Sequence, residues 1–232
     1  MPSTGWLYHS SGARRARCRA RLDACHPRAV HARPLPGNRP TTRRQGRWYP
    51  AAVAAQVIVL NGSSSSGKTS IARCLQNVLE APWLLLGIDD LTRAAPDRGL
   101  DDGTLLHVSE TGQVEVGPGW RDLEASWYLG IAALAASGTG VIVDEVFLDG
   151  AAGQERLRTA LGGLEVLWVG VTCELETARA REARRPDRVA GQAESQAHVV
   201  HEGVEYDLVV DTTRATPESC AATVLDRLSA AT

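Results

Sequence analysis

The chain contains almost no lysine. Of its 25 lysine and arginine residues, 24 are arginines, and Lys68 is the single lysine. A lysine ammonium group is a compact point charge, whereas the arginine guanidinium is a planar fork, so the two cannot replace each other where space is limited. The one lysine therefore marks residue 68 as a position to explain.

Other scarcities exclude several classes of protein. No run of about 18 apolar residues is present, so the sequence predicts no membrane-spanning helix. The five cysteines, at residues 18, 25, 74, 173 and 220, are odd in number, widely spaced and without zinc-binding spacing. They are typical of reduced thiols, and because no apolar export signal follows Arg14 and Arg15, we expect a cytoplasmic protein.

The net charge of −2 conceals two different parts of the chain. Residues 1–50 carry eleven arginines and one acid, Asp23, for a charge of +10, which leaves −12 for residues 51–232. We therefore predict an arginine-rich, disordered extension over residues 1–52 and one folded domain over 53–232. A basic tail can also bind nucleic acid or acidic lipid. Met1 is the only methionine, so a downstream start, for which Val53 is a candidate, would use a non-ATG codon.

From residue 53 onward, short apolar runs alternate with longer segments of helical periodicity. This alternation is typical of βαβ units and predicts an α/β fold in three layers, with a five-stranded parallel sheet between helices. Residues 104–116 alternate about a Thr-Gly turn and predict a small β-hairpin outside the main sheet. The predicted strands are 57–60, 83–88, 141–144, 166–171 and 208–211, and the predicted helices are 69–79, 119–137, 151–161, 174–185, 190–200 and one from Pro217.

The lysine lies in a motif with a known chemical use. Residues 62–69 read Gly62-Ser63-Ser64-Ser65-Ser66-Gly67-Lys68-Thr69, which matches G-x-x-x-x-G-K-[ST] between a predicted strand and a predicted helix. In this motif backbone N–H groups surround the phosphates of a nucleotide, the lysine reaches the β- and γ-phosphates, and the threonine hydroxyl binds Mg²⁺. The sequence thus predicts an ATP site from Gly62 to Ser70. The alternative is a glycine- and serine-rich linker.

Acidic residues end two of the predicted strands. Asp89 and Asp90 follow residues 83–88, and Asp144 follows the apolar run 141–143. Ligands of open α/β sheets bind beyond the carboxyl ends of the strands, so these carboxylates should face the phosphate loop. We predict that Asp89 is the general base for an acceptor hydroxyl, that Asp90 caps the following helix, and that Asp144 holds Mg²⁺ through water or hydrogen-bonds Thr69.

A run of arginines follows the fourth predicted strand. Residues 179–188 contain five arginines, and Pro186 breaks the helix within the run. Such a run is often a solvated helix face. The alternative that we favour is a short lid that closes over the triphosphate and excludes water.

Blocks spread over residues 56–230 resemble the chloramphenicol phosphotransferase family. The blocks include NGSSSSGKTS, PWLLLGIDDL, VGPGWRDLEASW, VIVDEVFLDGAAGQERLR, REARRPDRVAG and VVHEGVEYDLVVDTT. The resemblance implies a nucleoside-monophosphate-kinase-like fold with sheet order 2-3-1-4-5, and ATP-dependent phosphorylation of the primary hydroxyl of chloramphenicol. It also implies residue roles. Asp89 would be the base, Lys68 and Thr69 would serve the phosphates and Mg²⁺, Arg181, Arg185 and Arg188 would lie in the lid, and Thr212 and Thr213 would lie near the adenine.

Apolar side chains near these segments are candidates for the acceptor pocket. Trp120, Trp127, Val146 and Phe147 could wall a pocket for an aryl ring, although core packing is the ordinary use of a tryptophan. Two alternatives remain open. One is a kinase of another small hydroxylated metabolite, for which arginines such as Arg93, Arg98 and Arg121 would favour an anionic acceptor. The other is a nucleotide-binding regulator that contacts nucleic acid through residues 1–50 and catalyses nothing.

Overall fold

The structure is a computed structural model that describes residues 55–109, 111–185 and 190–230. The predicted extension over residues 1–52, its boundary with the domain, and the lid residues Pro186 and Arg188 lie outside the described residues.

The strands form one parallel sheet and one hairpin. They are β1 (Val57–Asn61), β2 (Trp83–Gly87), β3 (Leu106–Val108), β4 (Val114–Val116), β5 (Gly140–Glu145), β6 (Val166–Thr172) and β7 (Leu208–Asp211). The main sheet has the order β2-β5-β1-β6-β7, and all its neighbours pair in parallel. Numbered within that sheet, the order is 2-3-1-4-5, so the predicted fold class and strand order are confirmed. β3 and β4 form the predicted antiparallel hairpin outside it.

The helices connect these strands. They are α1 (Lys68–Val78), α2 (Ile88–Ala94), α3 (Asp97–Asp101), α4 (Trp120–Ala136), α5 (Ala151–Leu161), α6 (Leu175–Glu182), α7 (Gln192–Gln196) and α8 (Pro217–Ala230). A 3₁₀ turn, Val199–His201, follows α7. α8 begins at a proline, which suits the first helical position because that position needs no N–H donor. Within the described ranges, no helix is long and apolar enough to cross a membrane.

The central strand β1 divides the core into two clusters. Ile58 and Leu60 pack in a cluster with residues of α1 and α8, whereas Val57 and Val59 pack in a cluster with residues of α4 and α5. The division follows from the strand geometry, since successive side chains point to opposite faces. All four side chains are fully buried, as expected for a parallel sheet covered by helices on both faces.

Two predicted helices differ from the observed ones. The helix predicted over 174–185 ends at Glu182, whose carboxylate accepts the N–H groups of Gly191 and Ala193 at 2.9 Å each. The helix predicted over 190–200 is wrong beyond Gln196. There the carbonyl oxygen of Val200 accepts a hydrogen bond from the Asn61 side chain at 2.7 Å, a tertiary contact that the local pattern does not contain.

The sequence predicted that a helix follows Asp90 but not the bounds of α2, and it did not predict α3. Each is a short helix of seven or five residues, below the length at which apolar periodicity is visible. The signals that were present are the acidic residues Asp89 and Asp90 in the first turn of α2 and Pro96 just after its end.

We expect Leu157→Ala to lower the free energy of unfolding by about 2–5 kcal/mol, because it leaves a cavity at a position that is 0% exposed. The matched control is Leu129→Ala on α4, where the same atoms are removed from a side chain that is 61% exposed, and which should change stability by about 0.5 kcal/mol or less. Urea unfolding of both variants measures the difference. Equal losses in the two variants would contradict the assignment of Leu157 to the core.

Candidate active site

The phosphate loop, which connects β1 to α1, is tightly packed against the neighbouring strand. At Gly62, a Cβ atom would lie 2.3 Å from the carbonyl oxygen of Val171, so no side chain fits between the loop and β6. Gly67 precedes α1 with φ of 99°, a conformation that favours glycine. Ser65 also has positive φ, at 60°, which is uncommon for a residue with a side chain and is found most often at functional sites.

Lys68 lies inside this loop. Its Nζ donates to the carbonyl oxygens of Gly62 and Ser63, at 2.8 and 2.9 Å, and it is 3.8 Å from a carboxylate oxygen of Asp144. The side chain is only 7% exposed. A guanidinium fork would not fit the same enclosed space, so the geometry explains why the chain has a lysine here.

Three serine hydroxyls of the loop have unsatisfied hydrogen-bonding capacity. The side-chain oxygens of Ser64, Ser65 and Ser66 are buried and have no hydrogen-bond partner among the described residues. Buried polar atoms are nearly always hydrogen-bonded, so three such hydroxyls in one loop are an exception that active sites often show. Ser64 and Ser65 line the cavity described below, and the loop as a whole fits the phosphates of a nucleoside triphosphate.

Thr69 and Asp144 form the oxygen-rich edge of the loop. The Thr69 hydroxyl donates to the Asp144 carboxylate at 2.5 Å. The hydrogen bond predicted between these two side chains is therefore present. A hydroxyl and a carboxylate oxygen next to the phosphate loop are ligands that suit Mg²⁺.

The two aspartates after β2 separate into different environments. Asp90 accepts the N–H of Gly87 at 2.7 Å and pairs with Arg93, so it caps the start of α2 as predicted. Asp89 lies in the first turn of α2 and faces the cavity that also contains Lys68 and Thr69. The predicted base Asp89 and the phosphate loop thus line the same cavity.

That cavity has a volume of about 440 Å³, within the usual range for small-molecule sites. Residues of the phosphate loop line it, as do Asp89 and Asp144. Of the four predicted acceptor contacts, Trp120, Val146 and Phe147 line it. Trp127 does not. It packs against two core clusters, so its prediction as an acceptor contact does not agree with the structure.

Two arginines and two acids in the lining of the cavity form an ion-pair cluster. Arg121 donates to Glu124 and to Asp149 at 2.9 Å each, and Arg156 donates to Glu124 at 2.7 Å and to Asp149 at 2.8 and 3.0 Å. All four residues line the cavity. Burial acts to raise the pKa of Asp149, but the hydrogen bonds and charge of Arg156 outweigh it and lower that pKa below its usual value. The two arginines and two carboxylates of the cluster balance each other in formal charge.

Arg181 lies outside this cavity, against the phosphate loop. Its guanidinium donates to the Thr212 hydroxyl at 3.0 Å and to the Thr212 carbonyl oxygen at 2.7 Å. The Thr212 hydroxyl donates in turn to the carbonyl oxygen of Ser66 at 2.6 Å. Thr213 accepts the N–H of Glu174 at 2.9 Å through its hydroxyl. Arg181 and Thr212 thus hold the loop in place on the side beside Gly67, and Thr213 follows Thr212 in the chain.

One carboxylate joins the described residues on the two sides of positions 186–189. Glu182 accepts the N–H groups of Gly191 and Ala193 at 2.9 Å each. Arg185, one of the arginines predicted for the lid, is exposed and lines the cavity, whereas Arg188 lies outside the described residues.

Sequence reasoning missed several residues of the site. Gln196 accepts the N–H of Ser64 at 2.7 Å and lines the cavity, although the two residues are 132 positions apart and no local signal connects them. Arg121 was considered only as a contact for an anionic acceptor, and its partner Glu124 was missed, although opposite charges three residues apart lie on the same side of a helix. The roles of Asp149 and Arg156 depend on packing between α4 and α5 and had no such signal.

A second carboxyl group lies directly behind the site. Glu145 is 1% exposed, and its carboxylate accepts the Tyr128 hydroxyl and the Val146 N–H at 2.9 Å each. Burial raises the pKa of Glu145 from 4.5 to about 7, against the lowering effect of these two hydrogen bonds. The chain therefore carries a carboxyl that titrates near neutral pH next to Asp144.

The fold and this geometry define a class of protein. A G-x-x-x-x-G-K-T loop ends the central strand of a 2-3-1-4-5 sheet, and an acceptor cavity opens beside it. These are the features of P-loop kinases, enzymes that transfer a phosphoryl group to a small molecule.

Comparison with known proteins identifies the family. Residues 55–229 match the family described as chloramphenicol phosphotransferase-like protein, and the chain belongs to that family. Two Mycobacterium tuberculosis proteins, from strains CDC 1551 and H37Rv, carry the name "Putative O-phosphotransferase". Each is 34% identical to this chain over 197 residues, covering 77% of this chain and 85% of the relative. The resemblance drawn from the sequence is confirmed, and the chain is a small-molecule phosphotransferase.

Solved structures share the fold at low identity. A sugar kinase from Janibacter sp. HTCC2649 aligns with a TM-score of 0.56 at 20% identity, over 76% of this chain and 98% of that one. The Mycobacterium tuberculosis APS kinase, solved with AMPPNP and APS, aligns with a TM-score of 0.53 at 17% identity, over 76% of this chain and 99% of its own. These likenesses concern the fold.

We expect the stability of the protein to decrease between about pH 4.5 and pH 7 by about 3 kcal/mol through Glu145 alone. Stability falls with rising pH because the folded state, in which the pKa of Glu145 is raised, keeps a proton that the unfolded state has already lost. Ionisation at higher pH therefore favours unfolding. The contribution is fully present below pH 4.5 and is lost as the pH rises through 7. Urea unfolding from pH 4.5 to 8 should show this fall in the wild type and a smaller one in Glu145→Gln. Identical pH profiles for the two proteins would show that Glu145 is not protonated in the fold.

Proposed function

We propose that the protein transfers the γ-phosphoryl group of MgATP to the primary hydroxyl of chloramphenicol or a closely similar neutral alcohol, which inactivates the antibiotic. The observation that carries the proposal is one cavity in which the phosphate loop, Asp89 and apolar side chains such as the half-buried Val146 come together. One opening can thus hold a nucleotide phosphate and an aryl alcohol in contact. The reaction needs ATP, which fits a cytoplasmic location.

The transfer step follows from the groups present. The acceptor oxygen attacks the γ-phosphorus, a new oxygen–phosphorus bond forms, and the bond between the γ-phosphorus and the β,γ-bridging oxygen breaks. ADP leaves with the electron pair of that bond, and the acceptor proton passes to the Asp89 carboxylate. Catalysis of this kind is mostly positioning and stabilisation of charge.

Each remaining residue has a proposed role. Lys68 moves from its loop carbonyl partners to the β- and γ-phosphates, and the hydroxyls of Ser64, Ser65 and Ser66 bind phosphate oxygens. Thr69 and Asp144 would hold Mg²⁺, which when bound neutralises charge on the phosphates. The lid arginines Arg185 and Arg188 close over the triphosphate and exclude water. Arg181, Thr212 and Thr213 bind the nucleotide beside its adenine and ribose.

The charges of the cavity favour a neutral acceptor. An anionic acceptor needs arginines without acidic partners in the acceptor region. Here Arg121 and Arg156 are already paired with Glu124 and Asp149, and Arg93 is paired with Asp90. Arg73 on α1 and Arg185 also line the cavity and have no ion pair among the described residues, and Arg185 is proposed for the triphosphate. The pairing therefore supports an uncharged acceptor in the part of the cavity lined by Arg121 and Arg156, where a carboxylate or phosphate would have to displace Glu124 and Asp149.

The two key side chains should be separable by kinetics. We expect Asp89→Asn to lose about 10²–10⁴ in kcat with little change in ATP affinity, because it removes the proton acceptor and leaves the loop intact. Lys68→Ala should weaken ATP binding and turnover together, because its ammonium group interacts with the phosphates in the ground state and during transfer. Coupled ADP release gives the rates, and calorimetry with ATP gives the affinities. Full activity in Asp89→Asn would remove it as the base.

The proposed acceptor is tested directly. We expect purified protein with MgATP to release ADP at a rate that depends on chloramphenicol, and mass analysis should show the drug with one added phosphoryl group. Lys68→Ala protein is the control for contaminating kinases. ATP binding without any drug-dependent rate would leave the phosphotransferase class intact and exclude chloramphenicol as the acceptor.

A further inference from the structure

The hairpin β3–β4 has one apolar face and one polar face. In its register Leu106 pairs with Val116 and Val108 pairs with Val114, while His107 and Glu115 form the pair between them. Because side chains alternate along a strand, the four apolar residues share one face and the polar pair occupies the other.

The apolar face is a wall of the cavity. All four apolar side chains line it, whereas His107 and Glu115 do not. The four are only partly buried, and Val108 is 37% exposed. Apolar side chains grouped on one face and left open to a cavity indicate a surface that a ligand covers.

The wall has a fixed position relative to the proposed base. Leu106 and Val116 pack on a small cluster that includes Leu91 and Trp120. Leu91 belongs to α2, the helix that carries Asp89. The hairpin and the base are therefore attached to the same cluster, and an acceptor lying on the wall is held at a set distance from Asp89.

The tip of the hairpin contacts the chain just after the lid. A Cβ atom on Gly112 would lie 2.5 Å from the backbone nitrogen of Gln192, and one on Gly191 would lie 2.3 Å from the carbonyl oxygen of Thr111. The Ser195 hydroxyl donates to the carbonyl oxygen of Gly112 at 3.2 Å. Two glycines thus let the backbones touch, and the hairpin is supported at its tip and at its base.

We propose that this hairpin is the specificity element for the acceptor, and that it binds the non-reacting apolar body of a neutral, aryl-sized alcohol. The proposal rests on the proposed phosphotransfer to a neutral alcohol and adds what selects that alcohol. Apolar area buried on the wall, remote from the hydroxyl, supplies binding free energy that orients the hydroxyl at Asp89. Alcohols without an apolar body lack that contribution and react slowly.

The test exchanges one face of the hairpin and spares the other. Val108→Thr with Val114→Thr keeps β-branched side chains of equal size and places two hydroxyls on the wall. The matched control is His107→Thr with Glu115→Thr, the neighbouring cross-strand pair on the opposite face. Substrates are ethylene glycol, benzyl alcohol, 4-nitrobenzyl alcohol and chloramphenicol, with MgATP at saturation.

In the wild type, kcat/KM should rise along the series of alcohols with apolar area. We expect the wall variant to lose about 10–100-fold in kcat/KM for the aryl alcohols, with the KM for ATP and the melting temperature close to those of the control variant. Single Val114→Thr should show a smaller loss in the same order if the double variant folds poorly. Ethylene glycol should react equally with all proteins.

The outcomes separate the two proposals. Chloramphenicol phosphorylated equally well by the wall variant and by the control variant would overturn the hairpin proposal and leave the proposed function standing. A second outcome is that chloramphenicol is not phosphorylated, while the rates for the other alcohols still rise with apolar area in the wild type and do not rise in the wall variant. That outcome would overturn the proposed acceptor and support the hairpin proposal. A wild-type rate that does not rise along the series, including no turnover at all, would overturn the hairpin proposal.

Discussion

The parallel register between β1 and β5 is the constraint on which the catalytic edge depends. Leu60 pairs with Asp144, so this carboxylate lies beside the point where β1 enters the phosphate loop. On the other side of β5, Asp144 lies opposite Gly87, two residues before Asp89. A shift of one residue in the pairing of β5 with β1 would exchange the places of Asp144 and Glu145, since side chains alternate along a strand. Register, more than any single contact, brings the phosphate loop, Asp144 and Asp89 to one edge.

The same alternation gives two neighbouring acids opposite properties. Asp144 points toward the loop, where it accepts the Thr69 hydroxyl and lies near Lys68. Glu145 points into the core, where burial raises its pKa to about 7. A strand that ends in two acids thus supplies one carboxylate beside the phosphate loop. It also supplies one carboxyl group that is partly protonated and accepts the Tyr128 hydroxyl. Adjacent carboxyls that differ so much in environment are a common way for an active site to separate their functions.

The cavity also separates charge from apolar surface. At the loop, Lys68 donates to the backbone carbonyl oxygens of Gly62 and Ser63. Elsewhere in the lining, Arg121 and Arg156 are paired with Glu124 and Asp149, so these four residues carry no net formal charge. The likeness to a sugar kinase and an APS kinase concerns the fold, and one fold can serve many acceptors, so the side chains of the cavity decide the acceptor.

Elements whose signals are local could be predicted from the amino-acid sequence. These are the phosphate loop at Lys68 and Thr69, the cap at Asp90, the parallel strands with their order through the family resemblance, and the hairpin over 104–116. Tertiary structure alone decided which side chains meet. It packed Trp127 against two core clusters, ended the helix expected over 190–200 at Gln196, and joined Arg156 to Asp149. The physical reason is range: motifs and strand patterns depend on neighbours along the chain, whereas cavity walls and ion pairs depend on packing between residues far apart in sequence, which no local pattern encodes.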